Sequence, residues 1–589
     1  MAVQRKNNNI DYKSLPAEYH NVIAIGAGVT SLALTCHLQL MSNEKDFLIL
    51  EREGGIGGTW WSNTYPGAGC DIPIPLYSFS FAQKRNWSSF FALHDEIRTY
   101  LQEVADRFDL TRKSRFFTEV HLAEWDEDLG LWHVYTRPAK GIKGGNDETE
   151  SAPPKHYLCK ILFTGLGHLN IPNDCDIPGN ESFKGPIFHS ARWDHSVSLA
   201  NKNVFVIGNG CSAAQFVPQI AKEAKQVNQA VRSKHWYAQR PHDPFDFALW
   251  RWMLLYVPGL YKVQRWLIAL ALEFSMLNMF RHRLGTFFRN RFAAKCIRYA
   301  KKTAPEKYHK AIIPSLEEVV PGCKRRVFDT GYLESLQRQN VDLVTSHVTQ
   351  IKENTVITKD GTEYPADVIV LANGFKIKDA GFPLKIVGRN GVNLQDYWKQ
   401  NGGPQTYRSC MISHFPNFFE GMGTNSGTGH FSFMFTAECQ AQFAIRVMQP
   451  ILETPRPFIF DAKNPSFKRG ATVTCKTEAE EDEVVWAQST SYQKMVYGYN
   501  CSTWYVDAES GRQTTMYPSW QFMFWLRSAY PLYHKDLIYQ DCKPPGGYLT
   551  QFREWLGIGG IPKPSQELIK RFKAGEFTTR ETPKERLSK

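Results

Sequence analysis

Two stretches of the chain carry the same succession of apolar and polar positions. Residues 22–25 (VIAI) form an unbroken apolar run, as a strand buried on both faces requires, and residues 26–31 (GAGVTS) interrupt it with small side chains. An Ala/Leu-rich stretch over 32–40 predicts a helix, and 47–50 (FLIL) predicts a second buried strand ending at Glu51. The order returns at 204–207 (VFVI), which leads into 208–213 (GNGCSA), a helix to about Ala224 and a strand over 227–231 ending at Arg232. Gly26 precedes Glu51 by 25 positions, and Gly208 precedes Arg232 by 24. One such turn is weak evidence, because small residues often only permit close packing. Two with matched strands and matched ends predict paired βαβ units. The expected fold class is α/β, with two Rossmann-like dinucleotide-binding domains.

The residue types at the turns suit phosphate chemistry. Gly26 and Gly208 supply the tight turn, while Gly28 and Gly210 let the backbone approach a pyrophosphate at a helix N-terminus. Ser31 and Ala213 stand where a third glycine is usual, and both are small enough for helix–strand contact. The two units differ at their ends. Glu51 can accept hydrogen bonds from a ribose diol, which suits FAD or NAD. Arg232 and Ser233 offer a cation and a hydroxyl to a 2′-phosphate, which suits NADPH. The plainer reading of Arg232 is a solvated strand end.

Elsewhere the pattern changes character. Residues 140–154 are acidic and Gly-rich and read as an exposed hairpin loop. Over 241–314, Trp250, Trp252, Tyr256, Tyr261 and Trp266 alternate with aliphatics and prolines, which predicts a helical insertion at about 243–315. Residues 281–302 hold eight Lys/Arg and no acid, and Arg291, Lys295, Arg298 and Lys302 share one helical face. A solvated face is the simpler reading of these charges; a peripheral-membrane or anionic-substrate surface is the other. From Ile561 onward eight Lys/Arg accompany four Glu, which reads as a solvated or partly disordered tail.

Length and composition narrow the class. A chain of 589 residues exceeds one core and predicts three or four structural units, or two large ones with insertions. With 42% hydrophobic and 22% charged residues, disorder, collagen-like repeats and coiled coil are excluded as the dominant state. The net charge of +12 is too diffuse to imply nucleic acid, although a polyanionic cofactor accounts for part of it. The twelve cysteines form no CxxC pair and no zinc spacing, so they read as scattered reduced thiols, and no metal is expected. The first twenty residues hold no apolar signal core, and no uncharged run approaches the roughly 18 residues of a membrane span. The expected setting is cytoplasmic, peripheral to a membrane at most, and the sequons at Asn86, Asn180 and Asn500 read as chance.

Further motifs sharpen the chemistry. Gly54-Gly55-Ile56-Gly57-Gly58-Thr59-Trp60-Trp61 follows Glu51 closely, and four glycines beside two tryptophans suggest backbone lying against a large planar ligand. Residues 65–71 (YPGAGCD) and 77–81 (YSFSF) come next, and 183–194 (FKGPIFHSARWD) lies just before the second turn. That last segment resembles the FxGxxxHxxxW(P/D) fingerprint of the type I Baeyer–Villiger monooxygenases, which are class B flavoprotein monooxygenases. The resemblance runs from about Asn21 to Trp555 and includes 322–325 (GCKR), 368–375 (VIVLANGF), 415–419 (FPNFF), 425–430 (NSGTGH) and 501–505 (CSTWY). Ser31, Ala213 and Asn373, the last where the family commonly has threonine, depart from the usual pattern conservatively in size.

The resemblance implies an enzyme that holds FAD, consumes NADPH and O2, and inserts one oxygen atom beside a ketone carbonyl to give an ester or lactone. The aromatic insertion, and not the resemblance, points to a bulky, apolar, natural-product-like ketone, with packing as the other reading of those residues. The resemblance implies an FAD-binding part in two pieces (19–172 and 375–560) and an NADP-binding part between them (173–374), with tails at 1–18 and 561–589. Such a reaction needs a fixed cation to stabilise developing negative charge, and a partner to position it. In the family an arginine of the KR pair takes this role, supported by an aspartate, here Arg325 and Asp71. Arg326 follows directly, so the choice between neighbours rests on motif register. Gly58, Thr59, Trp60 and Tyr77 fall to the flavin side; Lys324 joins Arg232 and Ser233 at the 2′-phosphate; Trp504 falls near the nicotinamide. His189 and Trp193 lie on the interdomain linker, with His189 in conformational coupling. A flavin-dependent N- or S-monooxygenase or hydroxylase shares these cofactors, and a non-catalytic membrane-surface flavoprotein is a more distant alternative. A disulfide reductase is excluded, since only the isolated Cys36 lies between Gly26 and Cys70. The oligomeric state stays open.

Overall fold

In the computed structural model, which describes residues 16–141, 153–376, 384–455, 468–499, 501, 503–507 and 509–578, Val22 pairs in parallel with Phe47 and Ile25 with Leu50. The helix Val29–Met41 connects these strands. It is buried along most of its length because the helix Phe433–Leu452 packs in the same apolar cluster. Leu32, Leu34 and Leu38 are fully buried there, each contributing about 2 kcal/mol. The first strand starts at Ala17, and Ala17 and Glu18 pair with His156 and Tyr157, so these two residues belong to the sheet and not to an N-terminal tail.

This first sheet has eight strands. Ala17–Ile25 and Lys155–Thr164 are central, Phe47–Leu50 and Ser114–Arg115 lie to one side, and the antiparallel pair Thr118–Asp126 and Leu131–Pro138 extends the other. Two later segments return to it: Phe418–Glu420 pairs with Lys155–Thr164, and Lys385–Val387 pairs with Thr118–Asp126. The second sheet is five-stranded and parallel, in the order Val341–Val344, Gln226–Ala230, Asn203–Ile207, Val368–Leu371, Ile187–His189. Its strands 204–207 and 227–230 are the predicted buried runs of the second unit. The chain crosses between the sheets twice, and the crossings run side by side: Pro172 bridges Phe375, and Asn173 N–H donates to the Gly374 carbonyl at 3.0 Å.

Three expectations are corrected. His189 ends the edge strand of the second sheet, opposite Leu371, and is not on a linker; its ring meets Phe375 of the crossing edge-to-face at 5.4 Å. The tail from Ile561 carries the helix Gln566–Lys573, with Arg512 stacked 4.8 Å over Phe572 and Phe577 buried. The helix buries none of its own residues, so the solvated reading holds there; what the aromatic anchors Phe572 and Phe577 add is order. Cys323 and Cys501 form a disulfide with Cα atoms 5.1 Å apart, while the other ten cysteines are free thiols. The partners are 178 residues apart, so no spacing could have revealed them. Most of the 140–154 loop, the ends of both tails and Asn500 lie outside the described residues.

The insertion is helical, comprising Ala248–Tyr256, Leu260–Ser275 and Arg283–Thr303. No described helix is long and apolar enough to cross a membrane.

Candidate active site

Both Gly-rich turns sit at the C-terminal ends of parallel strands, where open α/β sheets bind ligands. Gly26 and Gly208 have φ of +94° and +112°, and a Cβ on either would strike the carbonyl of Gly165 or Ala372, at 2.9 and 2.3 Å. The helices that follow, Val29–Met41 and Cys211–Ile220, start at Gly28 and Gly210 with no side-chain cap and no acid in the first turn. Their first N–H groups are therefore available to an anion. A Cβ on Gly210 would meet nothing within 4 Å, so the second turn opens onto free space. In the first turn Gly28 faces Gly58, whose own Cβ would lie 2.9 Å from the Gly28 Cα. The 54–61 segment thus reaches the first turn backbone to backbone, as a cradle for a planar group requires. Ser31 is tolerated because the glycine it lacks is supplied across the interface: a Cβ on Gly165 would sit 2.2 Å from the Ser31 hydroxyl. Ala213 is fully buried against the second sheet.

Glu51 is buried and accepts the N–H groups of Ala27 at 2.5 Å and Glu53 at 2.8 Å. Burial lifts its carboxyl above the usual range, and these two amides oppose that rise. A carboxylate has room for further donors beyond two amides, so it can still receive a ribose diol. The second turn ends differently. Arg232 is exposed, and the Ser233 carbonyl accepts from Asn209 at 2.7 Å, which fixes the strand end. Lys324 converges on the same place from another loop: burial lowers its ammonium pKa, and repulsion from Arg232 lowers it further. Among the described residues no carboxylate pairs with Arg232 or Lys324. Two unpaired cations and a hydroxyl at one strand end make an anion site.

His235 belongs to this cluster, although no sequence motif singles it out. Its Nε2 lies 3.3 Å from the Ser233 hydroxyl, and burial, with Lys324 nearby, pushes its pKa down to about 4. A titratable ring two positions after Ser233 was the available signal. At neutral pH this imidazole is an uncharged hydrogen-bonding partner.

Between the turns lies one fixed ion pair. Arg325 donates through Nε to Asp71 at 2.8 Å and through Nη2 at 2.5 Å, a two-point fork. Burial raises the Asp71 carboxyl, but the Arg325 charge and both hydrogen bonds outweigh it and hold the pKa below the usual carboxylate range. Arg325 correspondingly stays charged. Arg326 stacks 4.9 Å over Phe328 and acts on Asp71 only through its charge, whereas Arg325 makes both hydrogen bonds to it. The loop bearing Asp71 is held on the helix of the second turn: Tyr65 donates to Gln215 at 2.8 Å, and Gln215 donates to the Gly69 carbonyl at 3.0 Å. Trp60 donates to Tyr77 at 3.0 Å, and the Tyr77 phenol lies within the fields of Asp71 and Arg325. Tyr505, part of the 501–505 motif but given no role by it, is buried beside Arg325 and Asp71, and Trp504 packs edge-on against Tyr505 at 4.7 Å. The Cys323–Cys501 disulfide ties the Arg325 loop to the Tyr505 loop. Thr59 is exposed at the start of the short helix Thr59–Ser62.

His189 accepts the Ala191 N–H at 3.0 Å. Burial pushes its pKa from the ordinary 6.5 down to about 4. The unfolded chain therefore takes up this proton first on acidification. Stability from neutral His189 is complete above about pH 6.5 and is lost as the pH falls toward 4. Over that window the denaturation midpoint of the wild type should fall more steeply than that of His189→Asn, a difference of up to about 3 kcal/mol. Parallel curves would show that His189 does not titrate there.

Similarity to known proteins agrees with this geometry. Residues 20–476 match the model of the flavin-binding monooxygenase-like family. A Baeyer–Villiger monooxygenase of Streptomyces coelicolor is 31% identical over 506 residues, covering 85% of this chain and 89% of the relative. One from Pseudomonas aeruginosa is 30% identical over 515 residues, covering 86% and 89%. A steroid monooxygenase solved with NADP is 26% identical and superposes with a TM-score of 0.71 over 86% of this chain and 96% of its own. The fingerprint at 183–194, the two turns and these relatives converge: the chain belongs to the flavin-binding monooxygenase-like family and, within it, to the Baeyer–Villiger monooxygenases.

Proposed function

We propose that the chain holds FAD at the first turn and NADPH at the second, and that it converts a bulky apolar ketone to an ester or lactone. One atom of O2 enters the product beside the former carbonyl; the other leaves as water, and NADPH becomes NADP+. The observation that carries this reading is the Arg325–Asp71 fork, placed between two uncapped glycine turns of different anion preference.

FAD, once reduced by NADPH, supplies the activation of O2. The protein's part is binding, orientation and charge. Glu51 takes the adenosine ribose of FAD, the first N–H groups after Gly28 take its pyrophosphate, and the 58–60 segment with Tyr77 borders its ring system. Arg232, Ser233 and Lys324 take the 2′-phosphate of NADPH, with neutral His235 beside them. Arg325 presents a permanent positive charge to the negative charge that develops on oxygen as the carbonyl is attacked. Asp71 fixes the direction of that guanidinium, and because its carboxyl is held low the fork persists across the neutral range. Residues 17–172 with 375–560 serve the flavin and 173–374 serve NADPH. The paired crossings at Pro172 and Phe375 form the hinge between them.

Turnover of a polycyclic ketone under ¹⁸O2 with NADPH tests the reading. The expected product is an ester or lactone carrying one labelled oxygen, formed one-for-one with NADPH consumed. Oxygenation of sulfides or amines with no ester from any ketone would replace this reading with heteroatom oxidation.

A further inference from the structure

The insertion is amphipathic in the inverted sense. In the helix Leu260–Ser275, Gln264 and Arg265 are buried at 5% and 7% exposure, while Trp266, Leu270 and Phe274 are 64, 56 and 62% exposed. Val263 and Leu267 complete that outward face, since positions 263, 266, 267, 270 and 274 recur at helical spacing. The inner side is fixed on the protein. Arg265 donates to the carbonyls of Pro75 and Ser78, each at 2.7 Å. Ile268 and Ala269 share a cluster with Leu76 and Phe431. The helix cannot roll its apolar stripe inward without breaking these bonds. The preceding helix, Ala248–Tyr256, adds exposed Trp252 and Tyr256, and Phe287 of Arg283–Thr303 is exposed as well. Apolar exposure repeated along one helix face and on the helices beside it in sequence marks an interaction surface.

Charge selects the occupant. The insertion, residues 243–315, contains thirteen Lys/Arg against four acids, a net +9 within a chain whose total is +12, and seven of the thirteen stand on the helix Arg283–Thr303. The Glu273 carboxylate is already occupied by the Phe522 N–H at 3.0 Å and by His430 at 3.1 Å. Cations are interleaved with the aromatics: Arg85 stacks 4.7 Å over Tyr261, and Arg291 lies 5.5 Å over Phe287. Lys262 is exposed on one helix, as is Arg251 on the other, where it pairs with Asp246. A second copy of the chain, docked face to face, would set these cations against themselves. An apolar stripe rimmed by Trp, Tyr and an excess of cations instead matches the boundary between acyl chains and anionic headgroups.

We propose that the helices Ala248–Tyr256 and Leu260–Ser275 form a docking surface that lies on a bilayer containing anionic phospholipid. The test is flotation of the full-length, FAD-loaded protein with vesicles of phosphatidylcholine alone and of phosphatidylcholine with a quarter phosphatidylglycerol. The protein should bind the anionic vesicles at least about tenfold more tightly than the neutral ones. Trp266→Glu with Leu270→Glu should weaken that binding at least about tenfold while keeping the flavin spectrum and circular dichroism, because both side chains point to solvent. Arg251→Glu with Lys262→Glu should bring anionic binding down toward the neutral level. Three results overturn the proposal: no flotation with anionic vesicles, flotation unchanged in Trp266→Glu/Leu270→Glu, or a dimer in sedimentation that this variant dissociates.

Discussion

Arg325→Ala is expected to lower ketone oxygenation by about two to three orders of magnitude while the protein stays yellow. The guanidinium is the fixed cation at the junction of the two turns, and its fork to Asp71 leaves it one orientation. Its hydrogen bonds go to Asp71 and not to Glu51, Arg232 or Ser233, so flavin retention and NADPH affinity should change little. NADPH should still be oxidised, with O2 released as hydrogen peroxide instead of entering the ester. Removing Arg325 also strands the Asp71 carboxylate, and breaking such a pair can destabilise the fold. Arg325→Lys separates the two effects, because it retains the charge and loses only the fork. It should keep the wild-type unfolding midpoint and recover part of the activity. Ester formation at the normal rate by Arg325→Ala would remove Arg325 from the reaction.

Arg232→Ala combined with Lys324→Ala should raise the KM for NADPH by about ten- to a hundredfold and leave kcat, and the KM for NADH, nearly unchanged. Both cations stand at the strand end without a carboxylate partner among the described residues, and burial first, then repulsion from Arg232, lowers the Lys324 pKa. A dianionic phosphate relieves that repulsion, and NADH has none to offer. The measurement is steady-state oxidation of both nucleotides over a range of salt. The wild-type preference for NADPH should shrink as salt rises, because Arg232 is exposed. Equal losses with both nucleotides would mean that the substitutions disturb the second turn itself.

The features of this protein legible in its sequence are those encoded locally. Residues 22–31 and 204–213 are apolar runs broken by small residues, and strand burial and turn geometry act over those same few positions, so the two βαβ units can be read directly. Glu51 and Arg232 are legible for the same reason: each ends a strand at a nearly constant distance from its turn. Arg325 is legible only through motif register, and the register leaves Arg326 as a rival; in the fold it is Arg325 that forks to Asp71, while Arg326 stacks on Phe328. His235 is a visible letter without a context to make it stand out, and Tyr505, although it closes the 501–505 motif, is given no role by that motif.

What the sequence alone determined, then, was the pair of nucleotide turns, their different ends and the membership that the 183–194 fingerprint implied. Tertiary structure alone decided three things. It gave the Arg325–Asp71 pair, which the resemblance implied, its two-point geometry across 254 positions, and it joined Cys323 to Cys501 across 178, which nothing in the sequence indicated. It also turned Gln264 and Arg265 inward and Trp266 and Leu270 outward. Composition and periodicity report which positions share a face, but not which face the rest of the chain will cover. That choice depends on contacts between segments far apart in sequence, whose energies no local window contains.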